Sequence, residues 1–289
     1  MPLHLYYVAD YFYPEILGGA ELSDQVVISY LKSRLGEDKV KVRLVKSAEF
    51  KYDELISGSV VIVSNFANLS ESQKDKLANK GIPYLILERD AKFVITRNLA
   101  LYRNFKAPLQ DIVNKLFYSN AEKVFGLTAK HTELIQSHLN INNLKNLGST
   151  HFSKQQIKIL KENIKQEEER RKKGIVAIVR GKRSNVAEYY CRKNNKKYEV
   201  IEKQDYENFI SKLSEYSELV FMSHHFESFC RLIVEAKILG LRVITDDRSG
   251  VSYEDWFSQN SGLALARQIE IRTQDSLETI LKEIKKCYS

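Results

Sequence analysis

The sequence has little of what marks a disulfide-rich, secreted or membrane-spanning protein. Only three cysteines occur in 289 residues, and their spacings match neither a zinc site nor a disulfide framework. No apolar run approaches the roughly 20 residues that span a bilayer. The first residues lack the basic stretch and apolar core of a signal peptide. We therefore expect a cytoplasmic protein.

Two further absences narrow the class of protein. The Gly-x-Gly-x-x-Gly fingerprint of dinucleotide binding is missing after the first predicted strand, which argues against a nicotinamide or flavin cofactor. No short-period repeat or low-complexity tract is present. The composition, 43% hydrophobic and 28% charged, is that of a globular protein and excludes disordered and fibrous chains. The length predicts about two domains.

The charge balance predicts an anionic partner. The chain has 45 Lys and Arg against 37 Asp and Glu, a formal net charge of +8. Nucleic acid, acidic lipid headgroups and nucleotide phosphates all remain open on this ground. Residues 154–173 hold eight cations against four glutamates. Because Ile157, Leu160 and Ile164 form a narrow apolar stripe, we favour a solvated helix between domains over a membrane or nucleic-acid patch.

Short β-rich runs alternate with amphipathic helical patterns along the chain. Runs such as Val60–Val63 are apolar on both faces, which is typical of parallel strands covered by helices. Strand–helix repetition on both sides of the basic segment predicts two doubly wound α/β domains. The predicted strands are Leu3–Val8, Val40–Val45, Val60–Ser64, Tyr84–Leu87, Lys123–Leu127, Ile175–Val179, Tyr198–Ile201, Leu219–Ser223 and Arg242–Thr245.

In such folds ligands bind beyond the carboxyl ends of the strands, so the loops there are candidate sites. Gly18 and Gly19 precede a helix, where bare backbone and the helix N-terminus favour an anion; a turn needed only for geometry is the alternative. After the first strand beyond the basic segment, Arg180, Lys182 and Arg183 can clamp a diphosphate. An exposed basic turn explains these cations equally well.

A third loop, after the strand that ends near Ser223, holds the most informative pair of residues. Glu227 precedes a helix for which Ser228 is the expected N-cap, and Glu235 lies within that helix. Eight residues of helix place the two backbones up to about 12 Å apart. Carboxylates at that separation suit hydroxyl groups at opposite ends of one long ligand. The helix N–H groups between them would face a phosphate, so a sugar–diphosphate–ribose fits.

These residues resemble a known signature. Residues 227–240 resemble the motif of retaining GT-B glycosyltransferases of family 4. They read Glu-Ser-Phe-Cys, four further residues and then Glu-Ala-Lys-Ile-Leu-Gly. Near the N-terminus, Phe-Tyr-Pro followed by Gly-Gly-Ala-Glu, residues 12–21, also resembles that family, as do the strand 242–245, the turn at Ser249-Gly250 and Glu254. The resemblance thus covers both ends of the chain in the order that the family has.

The resemblance implies an α/β protein of the GT-B class, with two Rossmann-like doubly wound parallel-sheet domains facing a cleft. We expect an acceptor-side domain over residues 1–172, including the basic connector 154–173. A nucleotide-sugar-binding domain would cover residues 173–289. Its last helix, about 275–288, would pack back on the N-terminal domain.

On the donor side, the resemblance assigns Glu235 to the ribose hydroxyls and Glu227 to the hydroxyls of the donor sugar. Backbone N–H groups of Ser228, Phe229 and Cys230 would lie along the sugar and the diphosphate. The family usually has Gly-Phe-Gly at these three positions. A positive φ would therefore be costly for the residues found here.

The remaining implied roles concern the phosphates. Arg180, with Lys182 or Arg183, would neutralise the leaving diphosphate, which is electrostatic stabilisation of developing charge. Gly18 and Gly19 would let the N-terminal loop close over the phosphates.

On the acceptor side, the resemblance points to Tyr13, Arg89 and Asp90. Arg89 stands where the family often has histidine, so it would act on a phosphate or an acidic acceptor, while Asp90 would orient a hydroxyl. A salt-bridge cluster at the strand end is an equal alternative for Glu88, Arg89 and Asp90.

The implied activity is that of a retaining hexosyltransferase of carbohydrate biosynthesis. It would use a UDP- or GDP-sugar donor and a glycan or lipid-linked acceptor. No cofactor is expected, and no metal, because no Asp-x-Asp triplet occurs. We expect a cytoplasmic location with peripheral contact to an anionic membrane through basic surface. Nucleic acid is not expected as a partner. The alternatives are a glycosyltransferase that acts on nucleic acid, a catalytically lapsed GT-B binding protein and a sugar-nucleotide epimerase.

Overall fold

The computed structural model describes residues 3–36, 39–181, 184–202 and 204–288. The chain divides into two compact units: residues 1–151 with 272–289, and residues 152–271. The N-terminal stretch of the first unit therefore ends before the basic segment 154–173, which belongs to the second unit.

The first unit is built on a parallel sheet. Its strand order is β2-β1-β3-β4-β5-β6, and all neighbouring pairs are parallel. Every residue of β3 and β4 is buried, as their apolar runs predict. The sequence did not indicate β6, which is three residues long and mostly polar. The strands are β1 Leu3–Ala9, β2 Val40–Lys46, β3 Val60–Val63, β4 Tyr84–Leu87, β5 Lys123–Gly126 and β6 Leu144–Asn146.

The second unit is built on a smaller parallel sheet with the order β10-β9-β7-β8. Its strands are β7 Lys172–Val179, β8 Tyr198–Ile201, β9 Tyr216–Phe221 and β10 Arg242–Thr245. The prediction of an α/β protein with two doubly wound parallel sheets is confirmed.

Helices follow most of the strands and return the chain to the next one. Side-chain caps define several starts: Thr128 accepts a hydrogen bond from the His131 N–H, and Ser153 and Gln156 form a capping box. The α-helices of the described residues are α1 Gly19–Leu35, α2 Glu71–Asn79, α3 Lys115–Ser119, α4 Ala129–Leu139, α5 Lys154–Glu162, α6 Ser184–Lys193, α7 Tyr206–Leu213, α8 Arg231–Ile238, α9 Asp255–Gln259 and α10 Gly262–Lys286.

Two helices differ from the sequence-based expectation. The basic segment is α-helical only over α5, which ends at Glu162, and Arg170 is buried instead of solvated. The last helix begins at Gly262, well before residue 275, and the division between the units falls inside it. Within the parts of the chain that the structure describes, no helix is both long and apolar enough to cross a membrane.

Candidate functional site

Glu227 lies in the loop between β9 and α8, at the carboxyl edge of the second sheet. Its N–H donates to the Arg248 carbonyl at 2.7 Å, and the Gly250 N–H donates to the Glu227 carbonyl at 2.8 Å. These bonds form an isolated parallel bridge with Ser249. The Ser223 hydroxyl donates to Glu227 Oε1 at 3.2 Å, and the side chain is half-buried. Backbone pairing with the loop after β10 therefore fixes the position of this carboxylate.

The next three residues lead into α8. Ser228 and Phe229 are buried, and the Phe229 ring packs on Trp256 with 6.3 Å between ring centroids. The helix begins at Arg231 with Cys230 at the N-cap, so the prediction of Ser228 as N-cap is wrong. Cys230 has a φ of 71°, the left-handed conformation for which glycine is suited.

Glu235 is buried in α8 and already has protein partners. The Tyr206 hydroxyl donates to its Oε1 at 3.1 Å, and Arg231 Nε lies 3.4 Å from the same oxygen. Burial raises the pKa of Glu235, while Arg231 and Tyr206 act to lower it. A ribose hydroxyl would have to exchange with one of these partners. Sequence reasoning missed both, although the four-residue spacing of Arg231 and Glu235 is a helical ion-pair signal.

Arg180 is exposed at the end of β7, beside acidic neighbours. Its Nε donates to Glu202 Oε1 at 3.0 Å, and its guanidinium lies 3.8 Å from Glu188. Lys182 and Arg183 lie outside the described residues. Of the three predicted phosphate-binding cations, the structure therefore places Arg180 at the expected strand end, where two carboxylates already contact it.

Arg89 follows β4 and is buried within the first unit. Its guanidinium donates to the hydroxyls of Ser23, at 3.0 Å, and Ser64, at 3.2 Å, and forms an ion pair with Asp24. The Tyr7 hydroxyl also donates to Asp24, at 2.8 Å. These contacts are those of the salt-bridge alternative. In this conformation Arg89 is not presented to a phosphate or an acidic acceptor.

Asp90, the next residue, pairs with two cations. Lys92 Nζ lies 2.8 Å from its carboxylate, and Arg97 contacts the other carboxylate oxygen. Burial acts to raise the pKa of Asp90, but Lys92 and Arg97 outweigh it and hold the pKa well below its usual range. Asp90 is therefore an ionised carboxylate at the carboxyl edge of the first sheet.

His131, which sequence reasoning missed, fixes the backbone at Asp90. The Leu127 N–H donates to its Nδ1 at 3.2 Å, so Nε2 carries the proton and donates to the Asp90 carbonyl at 2.8 Å. Burial lowers the pKa of His131 to about 4. The imidazole is therefore neutral near pH 7.

The glycine loop before α1 already has a carboxylate of its own. Gly18 is the N-cap residue, with an extended φ of −99°, and the Glu21 carboxylate lies where a Gly18 side chain would be. Burial raises the pKa of Glu21. This carboxylate competes with any phosphate at Gly18 and Gly19. Tyr13, in the same loop, is 42% exposed and precedes a cis proline.

No cluster of three or more His, Cys, Asp or Glu residues is placed to hold a metal ion in residues 3–36, 39–181, 184–202 and 204–288.

Comparisons with known proteins identify the fold. No protein-family model matches the sequence, and no curated protein is similar to it. An α,α-trehalose-6-phosphate synthase from Burkholderia multivorans superposes with a TM-score of 0.58, at 6% identity over 99% of this chain and 98% of that one. A UDP-forming α,α-trehalose-phosphate synthase from Burkholderia xenovorans gives a TM-score of 0.56, at 8% identity over 100% of both chains.

A third structure, an α-glucosyltransferase bound to UDP and DNA, superposes less well. Its TM-score is 0.48, at 8% identity over 99% of both chains. At these identities the similarity to the two synthases shows the fold alone. It confirms the predicted GT-B class of α/β protein.

Proposed function

We propose that this protein is a glycosyltransferase that moves a sugar from a UDP- or GDP-sugar to a hydroxyl group of a glycan or lipid-linked acceptor. One observation carries the proposal: the backbone bridge at Ser249 holds Glu227 at the carboxyl edge of the second sheet, directly before the helix that contains Glu235. The fold of this chain, shared with a UDP-forming synthase, supports that choice.

We assign donor binding to the second unit. Glu227, oriented by the Ser223 hydroxyl, accepts hydrogen bonds from the donor sugar, and Glu235 accepts them from the ribose in place of Tyr206. Backbone N–H groups of residues 228–230, directly before the first turn of α8, face the diphosphate. Arg180, with Lys182 or Arg183, balances the charge of the diphosphate as it leaves.

We assign acceptor binding to the first unit, at Tyr13 and Asp90. The acceptor oxygen bonds to the anomeric carbon as the bond to the phosphate oxygen breaks, on the same face. The acceptor proton passes to that phosphate oxygen. This course retains the anomeric configuration and requires neither a protein nucleophile nor a metal ion.

Nucleotide binding and turnover in two variants test the proposal. UDP, GDP, ADP and their sugar conjugates are added to the purified protein, and one nucleotide should raise the Tm further as its concentration rises. Glu235→Gln should weaken that nucleotide roughly tenfold, because it removes hydrogen bonds to a charged group. Glu227→Gln should retain nucleotide binding but reduce turnover by a factor on the order of 100.

Glu270→Gln is the matched control, since Glu270 is exposed and pairs with Lys161 on α5, away from the motif. The Tm without nucleotide separates a folding defect in Glu235→Gln from a binding defect. Nucleotide binding without hydrolysis or transfer would identify a lapsed binding protein. A panel in which no nucleotide raises the Tm contradicts the proposal.

A further inference from the structure

A patch of exposed aliphatic and cationic side chains lies on the first unit, between β4 and α3. Ile95 and Leu101 are each 66% exposed, and Leu109 is 88% exposed. Arg103 and Lys106, from the same segment, are also exposed. We call these five residues the 95–109 patch.

Hydrogen bonds hold the three stretches of this patch together. The Ile95 N–H donates to the Asp111 carbonyl at 2.9 Å. The Tyr102 hydroxyl donates to the Asp111 carboxylate at 2.8 Å and accepts from the Thr96 hydroxyl at 3.2 Å. Each exposed aliphatic residue lies within two positions of Thr96, Tyr102 or Asp111. Hydrogen bonds therefore join the three stretches of chain that carry the exposed aliphatic side chains.

The charge of this surface has one sign. Between residues 95 and 115 the sequence has four cations and one acid, Asp111, which already accepts from Tyr102. Arg97 pairs with Asp90. In the described part of the chain, no carboxylate lies within ion-pair distance of Arg103, Lys106 or Lys115. Two exposed leucines and an isoleucine thus lie among unneutralised cations.

The basic segment 154–173 has a different character. Lys161 pairs with Glu270 and Lys158 lies 3.7 Å from Glu162, while Arg170 is buried. The apolar residues Ile157 and Leu160 of α5 are buried. This segment is therefore basic but offers no exposed aliphatic side chain.

We propose that the 95–109 patch docks on an anionic lipid bilayer. Aliphatic side chains enter the boundary between headgroups and acyl chains, and the cations face the lipid phosphates. A nucleic acid is a poorer partner, because it has no apolar layer into which exposed aliphatic side chains could insert. A protein partner is also a poorer fit, because the cores of protein interfaces are depleted of lysine and favour aromatic residues. The proposal goes beyond the transferase reaction and does not depend on it.

Vesicle flotation of the full chain tests this surface. The protein is mixed with phosphatidylcholine vesicles, with or without about one third phosphatidylglycerol, and should float only with the anionic ones. Arg103→Gln with Lys106→Gln should weaken binding roughly thirtyfold, since each cation near the surface contributes about fivefold. Leu101→Ser with Leu109→Ser should weaken it at least tenfold, about the loss from one buried leucine.

The matched control is Lys154→Gln with Lys158→Gln, which removes the same charge from the basic segment and should leave flotation unchanged. Equal weakening by this control overturns the proposal in favour of net charge. If vesicle binding survives the leucine substitutions, the leucines do not insert into the bilayer, and the proposal is overturned. Loss of vesicle binding in millimolar glycerol phosphate would also overturn the proposal, because it would indicate a site for free phosphate.

A second copy of the chain is the rival occupant. If the wild type fails to float and instead dimerises in sedimentation, with the leucine variant monomeric, the patch is a contact between copies and the membrane proposal is wrong. The nucleotide-dependent Tm is measured for every variant. Loss of flotation with an unchanged nucleotide response separates this proposal from the transferase proposal.

Discussion

Cys230 shows how a single residue departs from the pattern of the family that the motif resembles. That pattern has glycine here, and Cys230 of this chain adopts the left-handed conformation, with φ of 71°. A β-carbon is disfavoured in this region. Two contacts hold the turn into α8 in this conformation: Phe229 packs on Trp256, and Glu227 is bonded to the loop after β10.

Replacing Cys230 tests this backbone strain. Cys230→Gly should be more stable than Cys230→Ala by about 1 kcal/mol, because alanine keeps the β-carbon in the left-handed region. Urea denaturation gives the two free energies of unfolding. Ser228, whose φ is not positive, is the control position, and there alanine should be the more stable of the two. The same order at both positions would contradict the strain argument.

His131 should make stability depend on pH. Its pKa of about 4 in the folded chain lies below the ordinary value of 6.5, so the unfolded state binds the proton more strongly. The contribution to stability is full above pH 6.5 and is lost as the pH falls toward 4. A shift of this size corresponds to roughly 3 kcal/mol.

His131→Gln removes this titrating group while a side-chain N–H can still reach the Asp90 carbonyl. The variant should be less stable at pH 7, because the bond from Leu127 is lost, but its stability should fall less between pH 6.5 and 4. Urea denaturation across that range gives the difference in slope. His224→Gln, at an exposed residue, is the control for replacing a histidine. Parallel curves for wild type and His131→Gln would contradict the assignment.

At the scale of elements, Arg170 joins the ends of several segments of the second unit. Its guanidinium donates to the carbonyls of Ser214 and Tyr216, at 2.9 and 2.8 Å, where α7 ends and β9 begins. It also donates to the main-chain carbonyl of Lys165, at 2.8 Å, and to that of Leu239 after α8, at 2.7 Å. Main-chain carbonyls that would otherwise be buried without partners are thereby satisfied.

Arg170→Lys should therefore destabilise the second unit by about 3 kcal/mol or more. An ammonium cannot reach four carbonyls in this fork arrangement, and the abandoned groups stay buried. Arg171→Lys is the matched control, since its side chain is 80% exposed and should change stability by less than about 0.5 kcal/mol. The fluorescence of Trp256 follows unfolding of this unit, because it is the one tryptophan of the chain. Equal stability of the two variants would show that Arg170 has no special role.

At the scale of the whole molecule, the C-terminal part of α10 belongs to the first unit. His151 Nε2 and the Ser276 hydroxyl are hydrogen-bonded at 2.8 Å, and Arg34 pairs with Glu278. The same stretch has four buried aliphatic residues: Leu277, Ile280, Leu281 and Ile284. The first unit is therefore assembled from segments that are far apart in the sequence.

A chain truncated after Ile271 should lose the fold of its first unit. Four buried aliphatic side chains at about 2 kcal/mol each approach the whole stability of a typical domain. Far-UV circular dichroism and limited proteolysis should show the loss, while Trp256 in the second unit keeps its folded emission. Lys282→Ser and Lys285→Ser change exposed positions of the same helix and serve as controls. Cooperative unfolding of the first unit in the truncated chain would contradict this account.

Local patterns in the sequence determined the strands, the doubly wound class and the motif around Glu227. The reason is that the periodic spacing of apolar residues, the runs of charged residues and the spacing of the two glutamates depend only on residues that are near each other in the sequence. The short polar strand β6 lacked such a pattern, and sequence reasoning missed it. Likewise, the resemblance assigned Glu235, Arg89 and Cys230 to ligand binding without showing what else those side chains contact.

Tertiary structure alone decided which groups those side chains meet. Tyr206 reaches Glu235 across 29 residues and Asp24 reaches Arg89 across 65. Both carboxylates are buried, so their partners depend on how the helices pack against each sheet. A buried charge must find an opposite charge or a hydrogen bond, but the sequence does not say which distant residue will supply it.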